Sequence, residues 1–259
     1  MTKLAANLSM LFTEYDFPDR FEAAALAGFN GVEFLFPYAY EVHQIADWLK
    51  KYQLELVLHN LPAGNWEAGE RGIACDPKRV REFMEGVDQA IHYATALNVR
   101  QVNCLAGILP ANTSVEQAQQ TLISNLRYAA EKLAAVGIHL LIEPINSIDI
   151  PGFFLTTSKQ AVALIRQVGS DNLFLQYDIY HMQRMEGELL NTIKANFTLI
   201  KHIQVADNPG RGEPGTGEIN YRFLFEQLTQ LHYAGSIGCE YKPKAGTAAG
   251  LDWRVAHGV

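Results

Sequence analysis

The chain has 259 residues, a length that suits either two ordinary domains or one closed α/β barrel. With 48% hydrophobic and 19% charged residues it has ample material for a buried core, which excludes intrinsic disorder. Lys and Arg number 21 against 28 Asp and Glu, and the formal charge of −7 excludes binding to nucleic acid or to an acidic membrane through the overall field.

Short apolar or β-branched runs alternate with longer amphipathic segments along the whole chain, in eight units. The first run, Leu4–Leu8, precedes a helix over Pro18–Leu26 that has proline at its start and Gly28 just past its end. The second, Val32–Phe36, precedes a helix near Val42–Tyr52. The third, Glu55–His59, opens into a long loop, 60–77, with Gly64, Gly69 and Gly72 around Trp66, Glu70 and Arg71; that length predicts a lid or binding loop. The fourth, Val99–Leu105, is followed by the capping residues Thr113 and Ser114 and a long helix striped by Leu122, Leu126, Ala129 and Leu133. The fifth and sixth are His139–Glu143 and Phe174–Asp178. After the seventh, Ile200–Val205, comes a glycine-rich loop, 207–219, whose backbone N–H groups could approach an anion, and then a helix starting near Asn220. The eighth, Ser236–Tyr241, leaves a short tail.

Eight such units without a linker, charge run or break in composition predict a single-domain (β/α)8 TIM barrel over residues 1–259. A nucleotide-binding doubly wound sheet is disfavoured, because Asn7-Leu8-Ser9-Met10-Leu11 stands where its glycine-rich turn would be. Cys75, Cys104 and Cys239 leave one over from any pairing and show no Cys-x-x-Cys spacing, so a reducing cytoplasm is expected. The N-terminus is a poor secretory signal, and no stretch approaches the roughly 20 apolar residues of a membrane span.

A barrel gathers the C-terminal ends of its strands at one mouth, and every one of those ends is polar here: Asn7, Glu33, His59, Asn103, Glu143, Asp178, Gln204 and Glu240. An ionisable group in an apolar strand is expensive to bury unless it is paired or ligated. Glu143, Asp178 and Glu240 would repel one another and raise each other's pKa, which a divalent cation would relieve. Together with Gln204 they form an all-oxygen donor set that suits Mg²⁺ or Mn²⁺ better than zinc. Such a site keeps a net negative charge, so a further cation is expected nearby, with Arg71, His181, Arg211 and Lys242 in segments that follow strands. His181, one helical turn beyond Asp178, could bond a substrate oxygen or orient Asp178. Period-two geometry turns Cys239 away from the lumen, and no Gly-x-Ser-x-Gly elbow supports acyl transfer. Glu143 and Glu240, on opposite sides of a chelated substrate, suit proton transfer between neighbouring carbons through an enediolate, one as base and one as acid.

The segments AANLSMLF, GVEFLFPY, LHNLPAG, GERGIA, LIEPIN, QYDIYHMQRMEG, QVADNPGRGEPGTGEINY and GCEYKP, spread from about residue 4 to 253, resemble the hydroxypyruvate isomerases, a family within the xylose isomerase-like barrels. The resemblance implies reversible interconversion of hydroxypyruvate and 2-hydroxy-3-oxopropanoate (tartronate semialdehyde), with the acid/base glutamates at Glu143 and Glu240. It also implies a place in glyoxylate metabolism. The metal position of related sugar isomerases and epimerases maps onto Glu143, Asp178, Gln204 and Glu240, with Gln204 where those epimerases commonly carry histidine. The small keto acid needs a cationic or N–H-rich anchor for its carboxylate, for which Arg71, His181, Arg211 and Lys242 are candidates, with His59 as a further substrate-binding residue. The alternatives are a 2-oxo-tetronate isomerase with the same glutamate pair, or a barrel that binds a sugar acid without turning it over. A zinc endonuclease of the same superfamily would need several mouth histidines and a basic face. Either a monomer or a symmetric homo-oligomer is compatible with the sequence.

Overall fold

The alternation of strand and helix patterns closes into one ring. The computed structural model describes residues 3–259. Its strands are β1 (Lys3–Asn7), β2 (Gly31–Glu33), β3 (Glu55–Asn60), β4 (Gln101–Cys104), β5 (His139–Ile142), β6 (Leu173–Asp178), β7 (Ile200–Val205) and β8 (Ser236–Cys239). They pair in parallel and in chain order, and β1 pairs with β8 to close the barrel. Around them lie α1 (Phe17–Leu26), α2 (Val42–Tyr52), α3 (Val80–Ala96), α4 (Val115–Ala134), α5 (Ser158–Val168), α6 (Ile179–Met185), α7 (Leu189–Ala195), α8 (Tyr221–Gln230) and α9 (Trp253–His257).

Several apolar runs are longer than the strands within them. Val99 is one example: its N–H bonds the carbonyl of Ala94 and so belongs to the exit from α3, and β4 starts only at Gln101. After β6 the chain makes two short helices where one would suffice, because Gly187, at φ +65°, turns the chain between α6 and α7. The helix ends follow capping chemistry. Ser114 accepts a bond from Gln117 N at 3.1 Å at the start of α4, and Asn220 does the same for Phe223 N at 3.2 Å at the start of α8. The α4 stripe of Leu122, Leu126, Ala129 and Leu133 is buried, each leucine contributing about 2 kcal/mol of hydrophobic stabilisation.

Strand alternation sorts neighbouring residues between the lumen and the helix layer. Cys239 packs outside the lumen, and all three cysteines are free and buried. Its neighbours Gly238 and Glu240 face inward. Gly238 leaves the lumen open for Glu33, since a Cβ there would lie 2.4 Å from both Glu33 carboxyl oxygens. Glu33, fully buried, accepts from Asn7 Nδ2 at 2.9 Å and Gln204 Nε2 at 2.7 Å, and its other oxygen lies 2.6 Å from His202 Nε2. His202 carried no sequence signal, because a histidine early in a strand reads as ordinary until the opposite wall of the barrel is known.

Candidate active site

All eight polar strand-end residues are buried, and side-chain hydrogen bonds join five of them, Asn7, Glu33 and Gln204 in one group and Asn103 and Glu143 in another. Below the mouth run the Glu33 bonds to Asn7 and Gln204, and Gln204 Oε1 in turn accepts from Gln176 Nε2 at 2.7 Å. Asn103 Nδ2 donates to Glu143 Oε2 at 3.1 Å. Above them Glu143, Asp178 and His181 offer ligand atoms that all lie within 4.8 Å of one another. Asp178 is placed by its own helix: Oδ1 caps α6 by accepting from Tyr180 N at 2.7 Å and His181 N at 3.2 Å. Its other oxygen, Oδ2, is buried and has no hydrogen-bond partner among the described residues.

The expected extra cation is Arg211. Its Nη2 lies 3.1 Å from Glu240 Oε2 and 3.8 Å from Asp178 Oδ2. The loop that carries it is organised from within. Two of its glycine N–H groups are taken by the protein's own carboxylate: Gly215 N and Gly217 N donate to Asp207 Oδ2 at 2.8 and 2.9 Å, while Asn208 N and Ile219 N donate to Oδ1. With Asp207 as the loop's own anion, Lys242 N donates to the Arg211 carbonyl at 2.7 Å and holds the arginine backbone at φ +56°.

Crowding sets the protonation of this group. Burial pushes the Glu143 carboxyl well above its ordinary value, and Glu240 and Asp178 push it further. Burial raises Glu240 to about 8 even though Arg211 pulls the other way. Asp178 is raised by burial against Arg211 and its two helical N–H donors. Burial lowers Arg211, but Glu240, Asp178 and Glu143 outweigh it and hold the guanidinium charged. Burial, with Arg211 and Arg184, drives His181 far below its usual value, so the ring is neutral.

A family model described as the xylose isomerase-like TIM barrel matches residues 21–256. The chain belongs to this family. It is 58% identical over 253 residues, 98% of each chain, to the hydroxypyruvate isomerase of Escherichia coli K12. It is 44% identical to the 2-oxo-tetronate isomerase of Cupriavidus necator, over 98% of this chain and 97% of the relative. Among solved structures, one described as an AP endonuclease, family 2, from Brucella melitensis superposes with a TM-score of 0.96 at 44% identity, covering 99% of each chain.

In this xylose isomerase-like barrel the mouth is a cavity of about 490 Å³ lined by Trp66, Arg71, Asp149, Tyr180, Arg184, Arg211 and Lys242, among others. Arg71, Arg211 and Lys242 therefore share one cavity. Arg71 stacks 4.2 Å from the Trp66 ring and donates to the carbonyls of Trp66 and Glu70, so loop 60–77 presents a fixed cation at the rim. His181 sits deeper, between Glu143 and Asp178 at 3.9 and 3.7 Å. Of the four oxygen donors expected for a metal, Glu143 and Asp178 stand together, Glu240 is bonded to Arg211, and Gln204 uses both ends of its amide on Gln176 and Glu33. The partnerless Asp178 Oδ2 beside Glu143 is a donor arrangement that fits a hard divalent cation. Asn146, Asp149, Tyr180 and Arg184 were missed by the sequence reading. Their only signal is spacing: Asn146 lies three residues past Glu143, and Arg184 one turn past His181 on α6.

His59 lies apart from the mouth cavity. Its Nδ1 is 3.1 Å from the Asn60 carbonyl, and its Nε2 is buried without a partner among the described residues. Burial lowers its pKa to about 4, against the backbone bond to Asn60 that raises it. Above pH 6.5 the ring is neutral in both folded and unfolded chains and does not influence stability. Between pH 6.5 and 4 only the unfolded chain takes up the proton, so stability falls on acidification, by about 3 kcal/mol at pH 4. Urea unfolding of the wild type and of His59→Gln at pH 7 and pH 4.5 is expected to show a steeper acid loss in the wild type. Parallel losses would contradict the assignment.

Proposed function

We propose that this protein is an isomerase that interconverts hydroxypyruvate and 2-hydroxy-3-oxopropanoate through an enediolate, with Glu143 and Glu240 moving the proton. The observation that carries this reading is the meeting of two buried glutamates with elevated pKa values at one cation-lined mouth, with Arg211 bonded to Glu240. Burial favours the protonated form of both carboxyls, so either can hold a proton that an ordinary glutamate would have lost, and the pair can serve as acid and base. One glutamate removes a proton from the hydroxyl-bearing carbon, the hydroxyl proton passes to the neighbouring oxygen, and the second glutamate returns a proton to the neighbouring carbon. His181 and Arg211 face the developing oxyanion, and Arg71 and Lys242 anchor the carboxylate at the rim.

Glu143 and Asp178 would hold Mg²⁺ or Mn²⁺, and Glu240 and the amide oxygen of Gln204 would complete the donor set only by giving up or sharing their bonds to Arg211 and Gln176. Such an ion supplies Lewis-acid polarisation of the carbonyl and hydroxyl oxygens. The isomerase activity of the 58%-identical relative supports the three-carbon substrate, and the 44%-identical 2-oxo-tetronate isomerase supports a second reading with a four-carbon acid in the same site. A small keto acid is the partner in either case. No helix of the described residues is long and apolar enough to cross a membrane, and three buried free thiols support a cytoplasmic enzyme of glyoxylate metabolism, as a monomer or homo-oligomer.

Proton NMR of hydroxypyruvate in D2O with the purified protein tests the reading. The expected result is an aldehyde product carrying solvent deuterium, lost with EDTA and restored by Mg²⁺ or Mn²⁺. Full activity in EDTA would remove the metal from the scheme. Turnover of 2-oxo-tetronate alone would establish the four-carbon reading, and silence on both acids would leave a binding barrel.

A further inference from the structure

His181 sits on its neighbours in a way that fixes which of its nitrogens carries the proton. Two donors point at Nδ1: the Asn146 side-chain Nδ2 at 2.6 Å and the Asn146 backbone N at 3.5 Å. The backbone group is an N–H and can only donate. The amide is equally constrained, because its Oδ1 accepts from Ile148 N at 3.1 Å and Asp149 N at 2.8 Å. Its NH2 end is therefore turned toward the ring, and the second amide hydrogen is taken by Asp149 Oδ2 at 3.1 Å. Asp149 is held in turn by the Tyr180 hydroxyl at 2.9 Å and by Arg184, which also reaches the Tyr180 oxygen at 2.7 Å. A ring with a proton on Nδ1, neutral or charged, would set N–H against two N–H donors.

We propose that Asn146, locked by Asp149, is a positioning residue that fixes His181 as the Nε2–H tautomer, so that His181 donates a hydrogen bond to a substrate oxygen and does not ligate a metal. The Nε2–H faces the gap between Asp178 Oδ2 at 3.7 Å and Glu143 Oε1 at 3.9 Å. Both separations are too long for a direct bond, and an oxygen seated between the carboxylates would accept that hydrogen. The Glu143, Asp178 and His181 cluster, which by composition reads as three metal ligands, divides into two oxygen donors and one hydrogen-bond donor. The tautomer stands on the protein's own bonds; the role toward substrate rests on the isomerase reading above.

Long-range ¹H–¹⁵N correlation spectra of ¹⁵N-histidine-labelled protein report the tautomer without substrate, with the His181 signal identified by its loss in His181→Gln. The expected pattern is Nε2–H, unchanged on addition of Mg²⁺. An Nδ1–H pattern, or loss of the Nε2 proton when Mg²⁺ is added, would overturn the proposal whatever the protein's activity. Asn146→Asp places an acceptor against Nδ1 and is expected to switch the ring to Nδ1–H and lower kcat by about 10–100-fold, with a smaller change in KM. That variant also sets a second carboxylate beside Asp149, so the double variant Asn146→Asp with Asp149→Asn restores a complementary chain of bonds while keeping the reversed polarity toward His181. Recovery of Tm with kcat still depressed supports tautomer control. Recovery of kcat along with Tm would mean that Asn146 is only a structural support.

Discussion

Glu143→Gln and Glu240→Gln are each expected to lower kcat by about 10²–10⁴-fold while leaving the fold intact, because each amide keeps the shape of the carboxyl and loses its ability to carry a proton. The two variants should differ in deuterium exchange. The variant that keeps the glutamate acting first on hydroxypyruvate retains exchange of substrate hydrogen with solvent D2O but forms little product, and its counterpart loses both. The double variant should be scarcely worse than the poorer single one, since a relay broken at one end is already broken. Glu143 accepts from Asn103 Nδ2, and Glu240 is paired with Arg211. The glutamine variants keep an acceptor for each of those donors, so thermal stability separates a chemical defect from a folding one. Near-wild-type turnover in either variant would remove that residue from proton transfer.

The largest loss of stability is expected in the lumen at Glu33, away from the chemistry. Glu33→Leu leaves the amides of Asn7 and Gln204 and the His202 ring buried without their acceptor, which costs about 3–5 kcal/mol and lowers Tm by on the order of 10 °C. Glu33→Gln is expected to cost about 1 kcal/mol. Its carbonyl still accepts from Asn7 and Gln204, and its NH2 can face His202 once that ring moves its proton to Nδ1 and the Gln101 amide, whose Nε2 lies 3.4 Å from Nδ1, flips to present its oxygen. Calorimetric Tm values for the two variants decide this. Equal losses would show that volume at Glu33, and not the donor pattern, is what the barrel needs. Because Gln204 hangs from Glu33 and lies beside Asp178 in register, the leucine variant should also perturb activity more than the glutamine one.

The barrel was legible because its signals are local. A period-two run, a 3.6-residue stripe and a serine or asparagine at a helix start each act within a few residues, so Leu122, Leu126 and Leu133 could be read as one buried face without knowledge of the rest of the chain. The boundaries that slipped, such as Val99, belong to residues whose backbone bond lies with the preceding helix, which an apolar side chain does not announce. The convergence of polar strand ends at one mouth was legible too, since closure of eight parallel strands leaves those residues nowhere else to go.

What the sequence by itself determined, then, is the closed barrel, the ring of buried polar residues at its mouth and the glutamate pair, because strand period and chain order fix all three. Only the tertiary structure decided how those residues share their bonds. Glycine N–H groups turned inward onto Asp207, Gln204 was held by Gln176 and Glu33, Arg211 became the cation beside Glu240, and Asn146 selected one tautomer of His181. The reason is physical: side-chain hydrogen bonds and ion pairs form between atoms a few ångströms apart in space, and residues 33 and 202, or 146 and 181, meet only after the ring has closed.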